Sequence, residues 1–197
     1  MGRHKYQKMI KNLFKKSPVV DADSIRRIIK SKKQVRQYDK QLIRNLILNG
    51  SIKKLGKGFY TIYDDPSLAV FSFSPAYLGL QDALSFHGLW EQETIPVIIT
   101  SKRVRAGIRK IMGSNILIRR IKPKYLFGFE YYKNGEFYMP YTDLEKTVID
   151  IIYFNEALGS DTVKEVRNRI NIKKFKSYLN AYPKKIRGRA LGLLKHV

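Results

Sequence analysis

Arg36, Lys40 and Arg44 stand four residues apart, a spacing that in an α-helix puts them on one stripe with about 6 Å between steps. Gln37 and Gln41 flank that stripe, and a glutamine amide matches the donor and acceptor on the exposed edge of an adenine. Lys32 and Lys33 lie in the turn just before it. Further on, Lys53 and Lys54 lead into Gly56-Lys57-Gly58. Guanidinium and ammonium groups in these patterns neutralise phosphate oxygens and bond base edges. Gly56-Lys57-Gly58 lacks the G-x-x-x-x-G-K-[ST] spacing of a nucleotide-binding loop and precedes a strand pattern, so it reads as a hairpin turn.

Carboxylates and histidines offer less. Asp82, Asp143, Glu145 and Asp150 are the candidates for a nuclease-type metal cluster. However, Thr142-Asp143-Leu144-Glu145 reads as a capping box, with Thr142 as N-cap and Glu145 at the third helical position. Asp143 suits a first helical turn electrostatically, and Asp150 can pair with Lys146 one turn earlier. His87 precedes Gly88 at the end of a helical pattern and reads as structural; His4 and His196 lie near the termini. There is no cysteine, hence no disulfide, thiolate zinc site or cysteine nucleophile. The expectation is a protein without catalytic residues, metal or cofactor.

The charge balance agrees with the basic stripes. Lys and Arg number 39 against 16 Asp and Glu, a formal net charge of +23, which calls for a polyanionic partner. The excess is not uniform: residues 1–66 carry +12, residues 67–160 only +2, and residues 161–197 +9. Nucleic acid fits such localised basic faces. No apolar run reaches the roughly 18–20 residues of a membrane span, and no signal-peptide pattern opens the chain. A cytoplasmic protein is the default expectation.

The elements that must hold the stripes are legible by period. Tyr6, Met9, Ile10, Leu13 and Phe14 mark a helix over residues 3–16, stopped by Ser17-Pro18. Val19-Val20 is extended, and Asp23 or Ser24 caps a second helix burying Ile25, Ile28 and Ile29. A third helix runs from about Val35 to Asn49, with Val35, Tyr38, Leu42, Leu46 and Ile47 inward and Gly50 as its left-handed end. The period then switches to strands at Ser51–Leu55 and Phe59–Tyr63. Three helices and a hairpin form the order of a winged helix-turn-helix, whose last helix lies in the major groove.

Asp64-Asp65-Pro66 marks the domain boundary, giving a winged helix-turn-helix at 1–66 and a second domain at 67–197. In that domain Leu68–Phe73, Pro96–Thr100, Ile116–Ile121, Tyr125–Glu130 and Glu136–Met139 read as strands, with a turn at Asn134-Gly135. Gln81–Phe86 is a short helix, and the capping box opens another that buries Leu144, Val148, Ile151 and Ile152. The fold class is α+β with a largely antiparallel sheet and a basic helical tail at 161–197, read as helices Thr162–Ile170, Ile172–Tyr182 and Lys184–Val197. Leu191, Leu193 and Leu194 would dock the last helix. Lys184, Lys185, Arg187 and Arg189 crowd its start, where the helix dipole disfavours cations, and form a possible second anion-binding face.

Several segments resemble, in order and spacing over about residues 40–154, the AbiEi-type antitoxins, winged-helix regulators of type IV toxin–antitoxin operons. They are Leu46-Ile47-Leu48-Asn49-Gly50-Ser51-Ile52 with Gly58-Phe59-Tyr60, Tyr77–Leu89 ending in His87-Gly88-Leu89, Phe127-Gly128-Phe129, and Asp143-Leu144-Glu145-Lys146-Thr147-Val148-Ile149-Asp150. The resemblance implies an N-terminal domain that binds operator repeats and represses its own operon. It also implies a second domain that counteracts a nucleotidyltransferase-like toxin. The expected partners are duplex DNA and a cognate toxin, with the oligomeric state open. The alternatives are an RNA-binding protein, with Tyr125, Phe127, Tyr131 and Tyr132 as stacking surfaces, and the metal-dependent nuclease disfavoured above.

Overall fold

The computed structural model describes residues 9–30 and 38–195, and the chain divides into two compact units. One comprises Met1–Phe73 with Lys110–Ser114; the other comprises Ser74–Arg109 with Asn115–Val197. Both helices and sheets are present in quantity, so the class is α+β. Among the described residues no helix is long and apolar enough to cross a membrane.

In the N-terminal unit α1 is helical over residues 9–14 and buries Ile10 and Phe14. Strand β1 (Val20–Asp21) leads directly into α2 (Ala22–Lys30), followed by α3 (Tyr38–Leu48), β2 (Lys53–Gly56) and β3 (Phe59–Thr61). The three strands form one antiparallel sheet in the order β1-β3-β2. The cap of α2 is neither Asp23 nor Ser24. Asp21, the last residue of β1, accepts a hydrogen bond from the Ser24 N–H at 2.6 Å, because the strand delivers its carboxylate to the open end of the helix.

The buried face of α3 is Leu42, Ile43 and Leu46. Ile47, expected inside, is 36% exposed, and Ile43 takes its place. The chain turns away just beyond, where Gly50 at φ +70° donates to the Ile47 carbonyl at 3.0 Å.

The expected strand at Leu68–Phe73 is a 3-10 helix, Pro66–Phe73. Asp65 Oδ1 accepts from the Ser67 N–H at 2.8 Å and starts the turn, and the run has no period-2 alternation to oppose it. This segment packs on β2. A Cβ at Gly56 would come within 2.6 Å of Ser72 Oγ and would have to displace that hydroxyl from the Ala69 carbonyl it donates to. The boundary between units therefore falls after Phe73 rather than at Pro66.

The second unit is built on a six-stranded sheet in the order β6-β7-β5-β4-β9-β8. Its strands are β4 (Ala76–Leu78), β5 (Val97–Thr100), β6 (Gly107–Ile111), β7 (Ser114–Arg120), β8 (Phe129–Asn134) and β9 (Phe137–Thr142). The sheet is mixed rather than largely antiparallel: β5 runs parallel to β7, and β4 parallel to β9. Strands β4 and β6 escaped the sequence reading, since β4 is three residues long and buried on both faces. The strand expected at Tyr125–Glu130 starts later, because Pro123–Tyr125 forms a 3-10 turn and β8 begins at Phe129. The β8–β9 hairpin turns at Gly135, φ +60°. The helices are α4 (Leu80–Phe86), α5 (Leu144–Phe154), α6 (Ser160–Arg169), α7 (Ile172–Leu179) and α8 (Lys184–Lys195). Leu191, Leu193 and Leu194 of α8 pack on the core, as their spacing suggests.

Helix α5 packs against α4, α7, α8 and β9. Its cap lies one residue later than the expected capping box: Asp143, not Thr142, accepts from the Lys146 N–H at 2.7 Å. Thr142 is the last residue of β9, and its hydroxyl is held by Thr147 Oγ1 at 2.8 Å. Glu145 reaches across to accept from the Asn171 N–H at 2.7 Å and so anchors the start of α7.

One turn along α5, Lys146 is wholly buried and ion-paired with Asp150, which is also wholly buried. Tyr77 Oη lies 2.9 Å from the Lys146 ammonium and donates to Asp150 at 2.7 Å. The rings of Tyr77 and Phe127 stand 5.2 and 5.4 Å from the same ammonium. Burial lowers the Lys146 pKa and raises that of Asp150, while their mutual attraction opposes both shifts.

Removing one partner of such a pair leaves an uncompensated buried charge. We expect Lys146→Met to cost about 3–5 kcal/mol in urea unfolding, and the triple change Lys146→Met, Asp150→Leu, Tyr77→Phe to recover most of it. Alkaline pH also tests a second contact, at the edge of the same core. Burial, and then donation to Asp143 Oδ2 at 2.8 Å, push the Tyr178 hydroxyl from 10.0 up to about 12. Its folded pKa lies above the free value, so the contribution is complete below pH 10 and lost as pH rises towards 12. Thermal melts should show that loss in the native protein and a smaller loss in Tyr178→Phe.

Candidate nucleic-acid interface

Lys40, Gln41 and Arg44 are all exposed on α3, opposite its buried face. Gln41 Nε2 donates to Asn45 Oδ1 at 3.1 Å, which fixes the amide along the helix. Lys32, Lys33, Arg36 and Gln37 lie outside the described residues, as does Val35. On the hairpin, Lys54 and Lys57 are exposed. Lys53 departs from the expectation: it is ion-paired with Asp64 and part-buried. Its side chain shares a strand face with buried Leu55, whereas Lys54 between them points the other way.

The accounting of negative charge in this region is closed. Residues 1–66 contain five aspartates and no glutamate. Asp21 caps α2, Asp65 starts the 3-10 helix and Asp64 holds Lys53. Asp23 and Asp39 both bind Arg26, at 2.8 and 2.7 Å. Those two bonds, Asp23 first, raise the guanidinium pKa. Part-burial works to raise Asp39, but the Arg26 bond prevails and its pKa is lowered. Lys40, Arg44, Lys54 and Lys57 therefore carry no ion pair among the described residues.

Two of these cations share one place. Lys40 and Arg44 line a concavity of about 260 Å³ together with Ala22 and Tyr60. The hairpin tip is tied to its edge, since the Ala22 N–H donates to the Gly58 carbonyl at 2.8 Å. Gly58 adopts φ +79°, a conformation that favours glycine in the turn. Chemically this is a cationic cleft with an aromatic and aliphatic lining, suited to a polyanion that also presents apolar groups.

The second anion-binding candidate lies on the other unit. Lys184, Lys185 and Arg189 are exposed at the start of α8 and Arg187 is half-buried. Arg189 donates to Asn155 Oδ1 at 2.8 Å, and this bond holds α8 against the left-handed end of α5. That contact accounts for part of the cationic crowding as a packing feature.

The residues proposed for other chemistries are occupied. Asp82 accepts from the Val97 N–H at 3.1 Å, and Asp150, Asp143 and Glu145 have the roles given above. Among the described residues no group of three His, Asp or Glu side chains is placed to hold a metal ion. His87 Nε2 bonds the Thr142 carbonyl at 2.7 Å. Of the four aromatic candidates for base stacking, Tyr125 is buried and stacked on Tyr182, Phe127 packs on Tyr178, and Tyr132 is half-buried beside Phe86. Tyr131 is 60% exposed.

No protein-family model matches the chain, and no curated protein gives a significant match. Its fold is similar to the crystal structure of the RV2827C protein from Mycobacterium tuberculosis, with a TM-score of 0.63 at 14% identity. The superposition covers 96% of this chain and 76% of that one. At such identity the likeness establishes the fold alone.

If Asp64 holds Lys53 away from external anions, releasing it should strengthen polyanion binding beyond the change in net charge. We expect Asp64→Asn to elute from heparin at higher salt than Glu93→Gln, a control whose exposed carboxylate lies on the other unit and holds no ion pair among the described residues. Equal elution of the two variants would show that Lys53 adds nothing to the face.

Proposed function

We propose that this chain is a duplex-DNA-binding transcriptional regulator whose N-terminal unit is a winged helix-turn-helix. The observation that carries the reading is the closed charge accounting of residues 1–66: every aspartate is engaged internally, while Lys40, Arg44, Lys54 and Lys57 face solvent without a partner among the described residues. The order of helices, hairpin and three-stranded antiparallel sheet supports it. In this reading α3 enters the major groove, with Lys40, Gln41 and Arg44 towards base edges. Lys54 and Lys57 set the hairpin against backbone phosphate. The protein acts by binding and not by catalysis.

The AbiEi-type resemblance extends the proposal. The N-terminal unit would bind operator repeats of its own operon, and the second unit would counteract a nucleotidyltransferase-like toxin encoded nearby. What supports that extension is the ordered set of motifs from Leu46 to Asp150. The RNA-binding alternative has less behind it, because Tyr125, Phe127 and Tyr132 are engaged in packing.

Fluorescence-anisotropy titrations over a salt series test the DNA reading. Arg44→Ala and Lys40→Ala should each weaken the preferred duplex by about 1–3 kcal/mol and flatten discrimination between duplexes. Lys54→Ala and Lys57→Ala should weaken all duplexes alike, each reducing the log–log salt slope by about 0.9. Unchanged affinity in all four variants would refute the assignment, and tighter binding of RNA at matched salt would favour the alternative.

A further inference from the structure

The solvent face of α3 does not end in a charge. Lys40 and Arg44 are followed one turn later by Leu48, which is 74% exposed, with Ile47 beside it at 36%. Both apolar side chains line the same concavity of about 260 Å³ as the two cations, against Tyr60. An isolated exposed leucine is ordinary, but here the exposed apolar end continues a cationic stripe and is confined to one cleft.

The charge of the rim selects the occupant. A second copy of this chain docked symmetrically on the face would set Lys40 and Arg44 against their own counterparts, with every nearby aspartate already bonded elsewhere. The complementary surface is anionic and carries small apolar groups at intervals. Duplex DNA offers that combination in its major groove, where phosphates form the walls and the thymine 5-methyl is the apolar group on the floor. From Lys40 to Leu48 the stripe rises about 12 Å, comparable to the width of that groove.

We propose that Leu48, supported by Ile47, reads thymine methyl groups and so sets sequence preference beside the Lys40 and Arg44 contacts. This rests on the DNA-binding reading and specifies what the sequence preference should be.

The test begins with selection of preferred duplexes from a random library by the full chain. Thymines of the selected duplex are then replaced singly by deoxyuridine, which removes the methyl and leaves base pairing intact. Native protein should bind about fourfold more weakly when the read thymine is replaced, the effect of one buried apolar carbon. Leu48→Ala should bind the thymine and uracil duplexes alike, at close to the uracil affinity. Because Leu48 is largely exposed, the variant should keep the native circular dichroism.

Equal binding of thymine and uracil duplexes by the native protein would overturn the methyl contact while leaving DNA binding intact. So would a selected duplex with no thymine preference, or a Leu48→Ala variant that shifts sedimentation from dimer to monomer. Failure to bind any duplex would overturn this inference and the DNA-binding reading together.

Discussion

Five aspartates carry all the acidic side-chain charge of residues 1–66, and the N-terminal unit uses each of them to hold itself together. Arg26 shows the effect most clearly. By bonding Asp23 within α2 and Asp39 at the start of α3 it fixes two helices against each other and gives both carboxylates a cationic partner. Asp21 and Asp65 serve backbone N–H groups at the starts of helical segments, where a negative charge is favoured. Folding therefore engages each aspartate in a cap or an ion pair, while Lys40, Arg44, Lys54 and Lys57 carry no ion pair among the described residues. A surface so left is costly to concentrate unless a polyanion covers it.

The second unit treats charge in the opposite way. Its strongest electrostatic feature, Lys146 with Asp150 and Tyr77, is sealed within the core that joins β4 to α5. Such a group adds little net stability compared with an apolar replacement, but it disfavours any packing that leaves one member unpaired. Asp143 extends the same logic to the edge of the core by capping α5 while bonding Tyr178 and Lys174. A motif that reads as a helix start in sequence thus also ties α5 to α7. The two units share a basic composition but differ in what they leave exposed.

Much of this was legible in the residues, and the failures have physical causes. The helices of both units follow from apolar spacing at 3.6 residues, and Gly50, Gly58 and Gly135 mark turns that need positive φ. Sequence alone does not place the caps, because Asp21-Ala22-Asp23-Ser24 and Thr142-Asp143 each offer adjacent side chains able to cap, and the preceding strand decides which one is presented. Leu68–Phe73 resembles a strand in sequence because a short apolar run looks alike in either state, and the deciding bond comes from Asp65 outside the run. Strand β4 shows no alternation because both its faces are covered. For the candidate site, the cations of α3 and the hairpin were readable from spacing. The engagement of Lys53 by Asp64 and the exposure of Leu48 depend on tertiary packing and were not.

On the proposed reading, the cationic face of α3 and its hairpin is the surface that meets DNA. A two-dimensional amide NMR titration of the full chain with a selected duplex reads that surface residue by residue. We expect the shifts to concentrate on residues 40–48 and 53–58 and to fade as salt is raised. Shifts concentrated instead on residues 184–189, with α3 and the hairpin unmoved, would contradict it.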